Sequence, residues 1–195
     1  AKKQGLLIPV VWNSSAYESV KTLQSLAGLV DIYLPDLKYA HGIYAKKYSH
    51  APDYPQVALQ AIKEMHAQVG LLNTGDDGLA TRGMIIRLLV LPGALSGTKQ
   101  SLYRIAEELG TAVTLSIMGQ YYPAGDACKY PELARGISAS EYQRVLETVQ
   151  ELGFEHVYAQ ELSCNDNWTP HFERELSFQT VVTDSTTKDL REQNS

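Results

Sequence analysis

The chain has 195 residues, 44% of them apolar and 20% charged, and 17 basic against 22 acidic side chains leave a formal charge of −5. With no long block of either sign, and with Lys2-Lys3 and Lys46-Lys47 short and far apart, the composition argues against a nucleic-acid partner and against an anionic membrane surface. No apolar run reaches the roughly 18 residues of a membrane span, and no signal-peptide pattern opens the chain.

The elements follow in order. Residues 6–12 form a short apolar run that reads as a buried strand, stopping at Asn13-Ser14-Ser15, any of which can cap the next helix. That helix is expected over 17–27, with Val20, Leu23 and Ala27 on one stripe and Gly28 closing it. A second strand spans 29–35 and ends in Asp36-Leu37-Lys38, with a short helical stretch near 43–48. Pro55 suits the first turn of a helix carrying Val57, Ala61, Ile62, Met65 and Val69, and Gly70 ends it. Residues 73–78 are turn-rich, as in a small hairpin. The strongest strand, 84–91, runs into Pro92-Gly93. Gly97-Thr98 open a helix to Leu109, and a strand over 112–118 leads into a long loop, 119–136. Ser138 and Glu141 have capping-box spacing for a helix to Leu152, and 154–160 is a fifth strand.

Strands that alternate with helices run parallel. No Gly-x-Gly-x-x-Gly follows any strand, so a barrel-type sheet is expected rather than a dinucleotide-binding one. A full eight-fold barrel takes about 250 residues, so this barrel is partial. The chain opens Ala1-Lys2-Lys3 without Met and enters an apolar run within a few residues, as a fragment or a processed chain does. One domain is expected over residues 1–162, and an irregular polar tail, disordered at its end, over 163–195.

Parallel α/β folds bind ligands at the C-terminal strand ends. Those ends carry Asn13-Ser14-Ser15, Asp36 with Lys38, Arg87, and Gln120-Tyr121-Tyr122. Asp36 and Lys38, two apart, share a face and can grip a zwitterion or a ribose hydroxyl, or form a simple strand-end ion pair. Arg87 interrupts an apolar strand, so it is expected to face a polar cavity or a carboxylate, either an amino-acid ligand's or that of an internal ion pair. Asn13, Ser14 and Ser15 are open to ligand binding or capping, and the two tyrosines to a purine face or packing. No histidine pair has metal spacing, and Cys128 and Cys164, 36 positions apart, fit free thiols of a reducing, cytoplasmic compartment.

The strings Trp12-Asn13-Ser14-Ser15-Ala16-Tyr17, Asp31-Ile32-Tyr33-Leu34-Pro35-Asp36-Leu37-Lys38-Tyr39, Ile86-Arg87-Leu88-Leu89-Val90-Leu91-Pro92-Gly93 and Met118-Gly119-Gln120-Tyr121-Tyr122-Pro123-Ala124-Gly125 resemble, in order, the later strand ends of radical S-adenosylmethionine (SAM) enzymes of the pyruvate formate-lyase activating type. The resemblance implies an α/β fold, a partial (β/α) barrel of radical SAM type lacking its first strands. It also implies SAM held against a [4Fe–4S] cluster, whose electron splits SAM to a 5′-deoxyadenosyl radical, and a possible protein substrate that is a glycyl-radical enzyme. By the same resemblance Asn13, Ser14, Ser15, Asp36 and Lys38 contact SAM, Arg87 lies near it, and Gln120 and Tyr121 border the adenosyl group. Tyr122 stands where such enzymes of known substrate carry histidine. The family's Cys-x3-Cys-x2-Cys loop is absent from this sequence, so the cluster ligands are expected upstream of Ala1 and the chain alone is expected to be inactive. Two other readings are a Schiff-base aldolase using Lys38 and a non-catalytic, protein-binding truncated barrel.

Overall fold

The structure is a computed structural model and is described for residues 5–159; Cys164 and the expected 163–195 tail lie outside the described residues. Strand β1 is Val11–Ser14 and β2 is Ile32–Pro35, with helix α1, Val20–Ser25, between them. Helices α2, Gly42–Ser49, and α3, Tyr54–Val69, lead to β3, Asn73–Thr74, and β4, Ala80–Leu89. Then come α4, Thr98–Leu109, β5, Thr114–Met118, α5, Ala139–Glu151, and β6, Val157–Ala159.

Five strands pair in parallel in the order β1-β2-β4-β5-β6, and β3 adds an antiparallel hairpin arm to β4. Among the described strands the order never reverses, so they contain no switch point of the doubly wound kind. With right-handed crossovers each helix then falls on the same side of the sheet. This is an α/β fold with the strand order of part of a (β/α) barrel.

Burial follows that geometry. Tyr33, Met84, Ile86, Leu88, Leu115 and Ile117 alternate onto the helix side and are at most 2% exposed. The residues between them, including Leu34, Ile85, Arg87, Leu89, Ser116 and Met118, are half-buried on the other face. Period-two alternation thus separates a packed face from an open one.

Several expected bounds move: the strands expected from 29, 112 and 154 begin at Ile32, Thr114 and Val157, and the first strand and first helix shift furthest. The first strand is not 6–12: Leu7 and Ile8 are exposed, and the strand begins at Val11. Pro9 has no N–H to donate, and Asp31 Oδ2 takes the Val10 N–H at 2.8 Å, so ladder pairing starts after them. Helix α1 is shorter than 17–27, because Ser19, not Asn13, Ser14 or Ser15, is its cap, accepting from Thr22 N at 3.1 Å. The reason is local: Ser14 Oγ is already taken by Ala16 N, 3.1 Å away, in a turn where Ala16 adopts φ +58°. The α5 capping box forms as the spacing indicates.

Strand β4 starts four residues before the apolar run because the hairpin crosses it at Gly83. There φ is +120°, and a Cβ would lie 2.3 Å from the Leu71 carbonyl oxygen. No larger residue fits without moving backbone. Gly83→Ala is expected to lower stability by about 2 kcal/mol or more, read as the shift in urea midpoint at unchanged m value.

Candidate functional site at the strand ends

The parallel register sets Asn13 beside Leu34 and brings Asp36 beside Arg87 as β2 and β4 end. Alternation then puts Asn13, Asp36 and Arg87 on the open face. Arg87 Nε donates to Asp36 Oδ1 at 2.7 Å, and its Nη2 lies 2.7 Å from the same oxygen and donates to Asn13 Oδ1 at 2.6 Å. Lys38 Nζ stands 3.7 Å from Asp36 Oδ2. Side-chain exposures of 25% for Arg87 and 20% for Asp36 make this a partly buried pair, beyond the weak surface class. One guanidinium therefore ties together the ends of three neighbouring strands.

Beneath it sits Tyr54, 4% exposed, at the start of α3. Its hydroxyl lies 2.7 Å from the Asp36 carbonyl and 2.9 Å from the Ser15 carbonyl, and it accepts the Lys38 N–H at 2.9 Å. Burial pushes this phenol far above its ordinary pKa, so it stays a neutral donor. Tyr39 meets its ring edge-on at 5.7 Å. Tyr54 is the positioning residue that sequence reasoning missed; a tyrosine next to a helix-opening proline gives no sign that it reaches back to two strand ends.

The remaining expected residues are placed as follows. Ser14 spends its hydroxyl on the Ala16 turn, and Ser15 is exposed and offers its carbonyl to Tyr54. Gln120, two residues beyond β5, has a buried Oε1 without a partner. Tyr121 donates to the Leu133 carbonyl at 2.9 Å and lines, together with Lys38, a cavity of about 260 Å³. Tyr122 is 60% exposed. Asn13, Asp36, Lys38 and Arg87 thus form one network, while Gln120 and Tyr121 belong to the next strand end; Lys38 reaches both.

Two glutamates brace the surrounding loops. Glu141 accepts Gly93 N at 2.7 Å and Ser138 N at 2.8 Å and receives both Nη atoms of Arg135 at 2.8 Å, which hold its carboxyl well below the usual range. Glu132 takes Lys47 Nζ and, at 2.8 Å, the Tyr48 hydroxyl, so the 119–136 loop is strapped to α2. The Lys47 ammonium chiefly holds Glu132 down to about 2, from 4.5. Neither glutamate was a sequence candidate beyond the capping-box role of Glu141.

The arrangement offers an ammonium, a paired carboxylate and a carboxamide at one mouth, a donor set suited to a zwitterionic or polyhydroxylated ligand. Among the described residues no three His, Cys, Asp or Glu side chains gather as a metal-holding group, and no described helix is long and apolar enough to cross a membrane.

No family model matches the chain. Over 152 residues, 77% of its length, it is 31% identical to the uncharacterized protein MJ0674 of Methanocaldococcus jannaschii. The chain spans 40% of that relative.

Tyr54→Phe is expected to cost about 1.5–3 kcal/mol, because the Lys38 N–H loses a buried acceptor; chemical denaturation measures it. A double-mutant cycle with Asp36→Asn and Arg87→Met should give a coupling of about 1–2 kcal/mol. The strap has a pH signature. A carboxyl whose folded pKa is depressed stabilises above its unfolded value and loses that contribution as pH falls through the folded one. Protection factors of the amides across 125–133, which correct for the intrinsic pH dependence of exchange, are therefore expected to fall between pH 4.5 and about 2, and to be low already at neutral pH in Glu132→Gln.

Proposed function

We propose that the chain forms the C-terminal part of a radical SAM barrel, binding SAM at the open face where β1, β2 and β4 end. The observation that carries this reading is the Asn13–Arg87–Asp36–Lys38 network, drawn from three successive parallel strands and facing away from the helices. It is joined by the resemblance of the strand-end strings. The donor set fits the cofactor: Asp36 Oδ2, held only loosely by Lys38, suits an ammonium or ribose hydroxyl, and the Lys38 ammonium suits a carboxylate. Arg87 acts mainly by orienting Asp36, since its Nε and Nη2 are committed to Asp36 and Asn13. The unpartnered Gln120 Oε1 leaves an acceptor on the adjoining strand end for an adenosyl donor.

The residues described here do not supply the three thiolates a cluster requires; the exposed Cys128 stands alone. A [4Fe–4S] cluster held by cysteines outside this chain would supply the electron for SAM cleavage. This chain's share is to bind and orient SAM. A protein substrate of the glycyl-radical kind, and a reducing cytoplasmic setting, belong to the same proposal.

The β1 edge supports an incomplete barrel: among the described residues it has one strand neighbour, Val11 is half-exposed, and the Trp12 indole N–H is buried without a partner. The same edge also favours the second reading, a non-catalytic module that docks a protein strand. Lys38 does not favour an aldolase. It is 46% exposed with a carboxylate at 3.7 Å, whereas Schiff-base chemistry needs a desolvated amine.

The test uses a protein that includes the upstream segment, reconstituted with iron and sulfide. Asp36→Ala and Arg87→Ala are each expected to reduce SAM cleavage about tenfold or more while the cluster's visible absorbance is unchanged. Wild-type cleavage in both variants would remove these residues from the site. An upstream segment without a three-cysteine loop would end the radical reading and leave the docking module.

A further inference from the structure

The cavity beside the network has walls of a distinct kind. Four tyrosines line it, Tyr39, Tyr48, Tyr121 and Tyr130, and each hydroxyl is already bonded to the protein. Tyr39 is paired with Ser49 Oγ at 3.1 Å, Tyr48 with Glu132 at 2.8 Å, Tyr121 with the Leu133 carbonyl at 2.9 Å and Tyr130 with the Lys47 carbonyl at 3.3 Å. What the four residues leave for an occupant is ring face and edge, not phenol donors. The rest of the wall is largely aliphatic, with Leu89, Leu91 and Leu133.

Among the described residues, one charged group lines this cavity, Lys38. Lys47 is committed to Glu132 and to the rings of Tyr48 and Tyr130, 5.2 and 5.6 Å from its Nζ. Lys38 is not so bound: its Nζ is 3.7 Å from Asp36, whose other oxygen takes Arg87, and it is nearly half-exposed. An ammonium at such a distance can accept a second anion with little rearrangement.

We propose that this cavity is a binding subsite for a small aromatic carboxylate, its ring among the tyrosines and its carboxylate on Lys38. A volume of about 260 Å³ holds one ring with a short tail, near the lower end of small-ligand pockets. Apolar and ring-on-ring contact supplies the affinity, and the ammonium selects the anion. The Glu132 strap closes the outer wall, because it fixes the tyrosine of α2 and the loop that carries Leu133. The site shares Lys38 and Tyr121 with the SAM reading but uses neither Arg87 nor Asn13.

The probes are 3-phenylpropionate, its primary amide and adenosine, titrated onto the 195-residue chain and followed by saturation-transfer NMR and calorimetry. The acid is expected to bind saturably, and the amide about three- to tenfold more weakly. Lys38→Gln should bring the acid down to the amide's affinity and leave the amide unchanged. Ala127→Trp, which fills the cavity from its loop side, should abolish both. Equal binding of acid and amide, undiminished binding in Ala127→Trp, no binding of the acid, or adenosine binding in its place would each overturn the proposal. Because Lys38 is shared, the network site is reported by a SAM titration of Arg87→Ala, a residue that the aromatic-acid site does not use, so failure of one reading is distinguishable from failure of the other.

Discussion

The contact on which the rest of the site depends is the one between Arg87 and Asp36. Both groups leave adjacent parallel strands on the same face, and at 2.7 Å the guanidinium compensates a carboxylate that is only 20% exposed. Either group alone would carry an uncompensated, partly desolvated charge on an otherwise apolar strand. Together they fix the spacing of β2 and β4 at their ends, and the bond from Nη2 to Asn13 extends that restraint to β1. The placement of Asn13, Asp36 and Lys38 follows from that pair and from Tyr54 below it.

Tyr54 shows how a helix on one side of a sheet controls chemistry on the other. Its ring is buried among Tyr39 and Tyr17, while its hydroxyl crosses to the main chain of Ser15, Asp36 and Lys38. Main-chain bonds of this kind set where the Asp36 and Lys38 side chains depart, a stricter control than any side-chain contact at the rim. The left-handed Ala16 nearby, fully buried at φ +58°, belongs to the same restraint. A conformation unfavourable to alanine persists there because Ser14 Oγ and the surrounding packing over-determine it.

Much of this was legible in the residues. Short apolar runs located β2, β4 and β5, Pro55 and Gly70 bounded α3, and Ser138 with Glu141 announced α5, since each is a local signal with a local cause. An arginine amid Ile86, Leu88 and Leu89 called for a carboxylate, and Asp36 is that carboxylate. What could not be read is non-local. Residues 6–8 look like a buried strand, but an apolar run is buried only if something covers it, and the strand started beyond Pro9. Capping by Asn13, Ser14 or Ser15 was chemically reasonable, yet the Ala16 turn claims Ser14 first and Ser19 does the work. The role of Tyr54 and the Glu132 strap join positions 16 to 85 apart, a separation at which no pattern in a single sequence speaks.

The unequal treatment of the two sheet faces is the deepest constraint. On the helix side, residues from Tyr33 to Ile117 are sealed from water; on the other, Ile85, Leu89 and Met118 are left half-covered around a charged pair. A sheet whose open face carried only polar groups could simply be solvated, as in many antiparallel folds, and one carrying only apolar groups would be covered by another layer. Here the two are interleaved, with the charges held rigidly by one another. Apolar walls around Arg87 and Asp36 keep water from screening them fully, which strengthens their hold on any charged or hydroxylated group entering the mouth. The same walls gain when such a ligand brings an apolar body with it, because its burial removes their remaining contact with water. A face built this way is shaped for a ligand with both characters, and that physical demand, more than any single residue, is why the open side of the sheet is where function is to be sought.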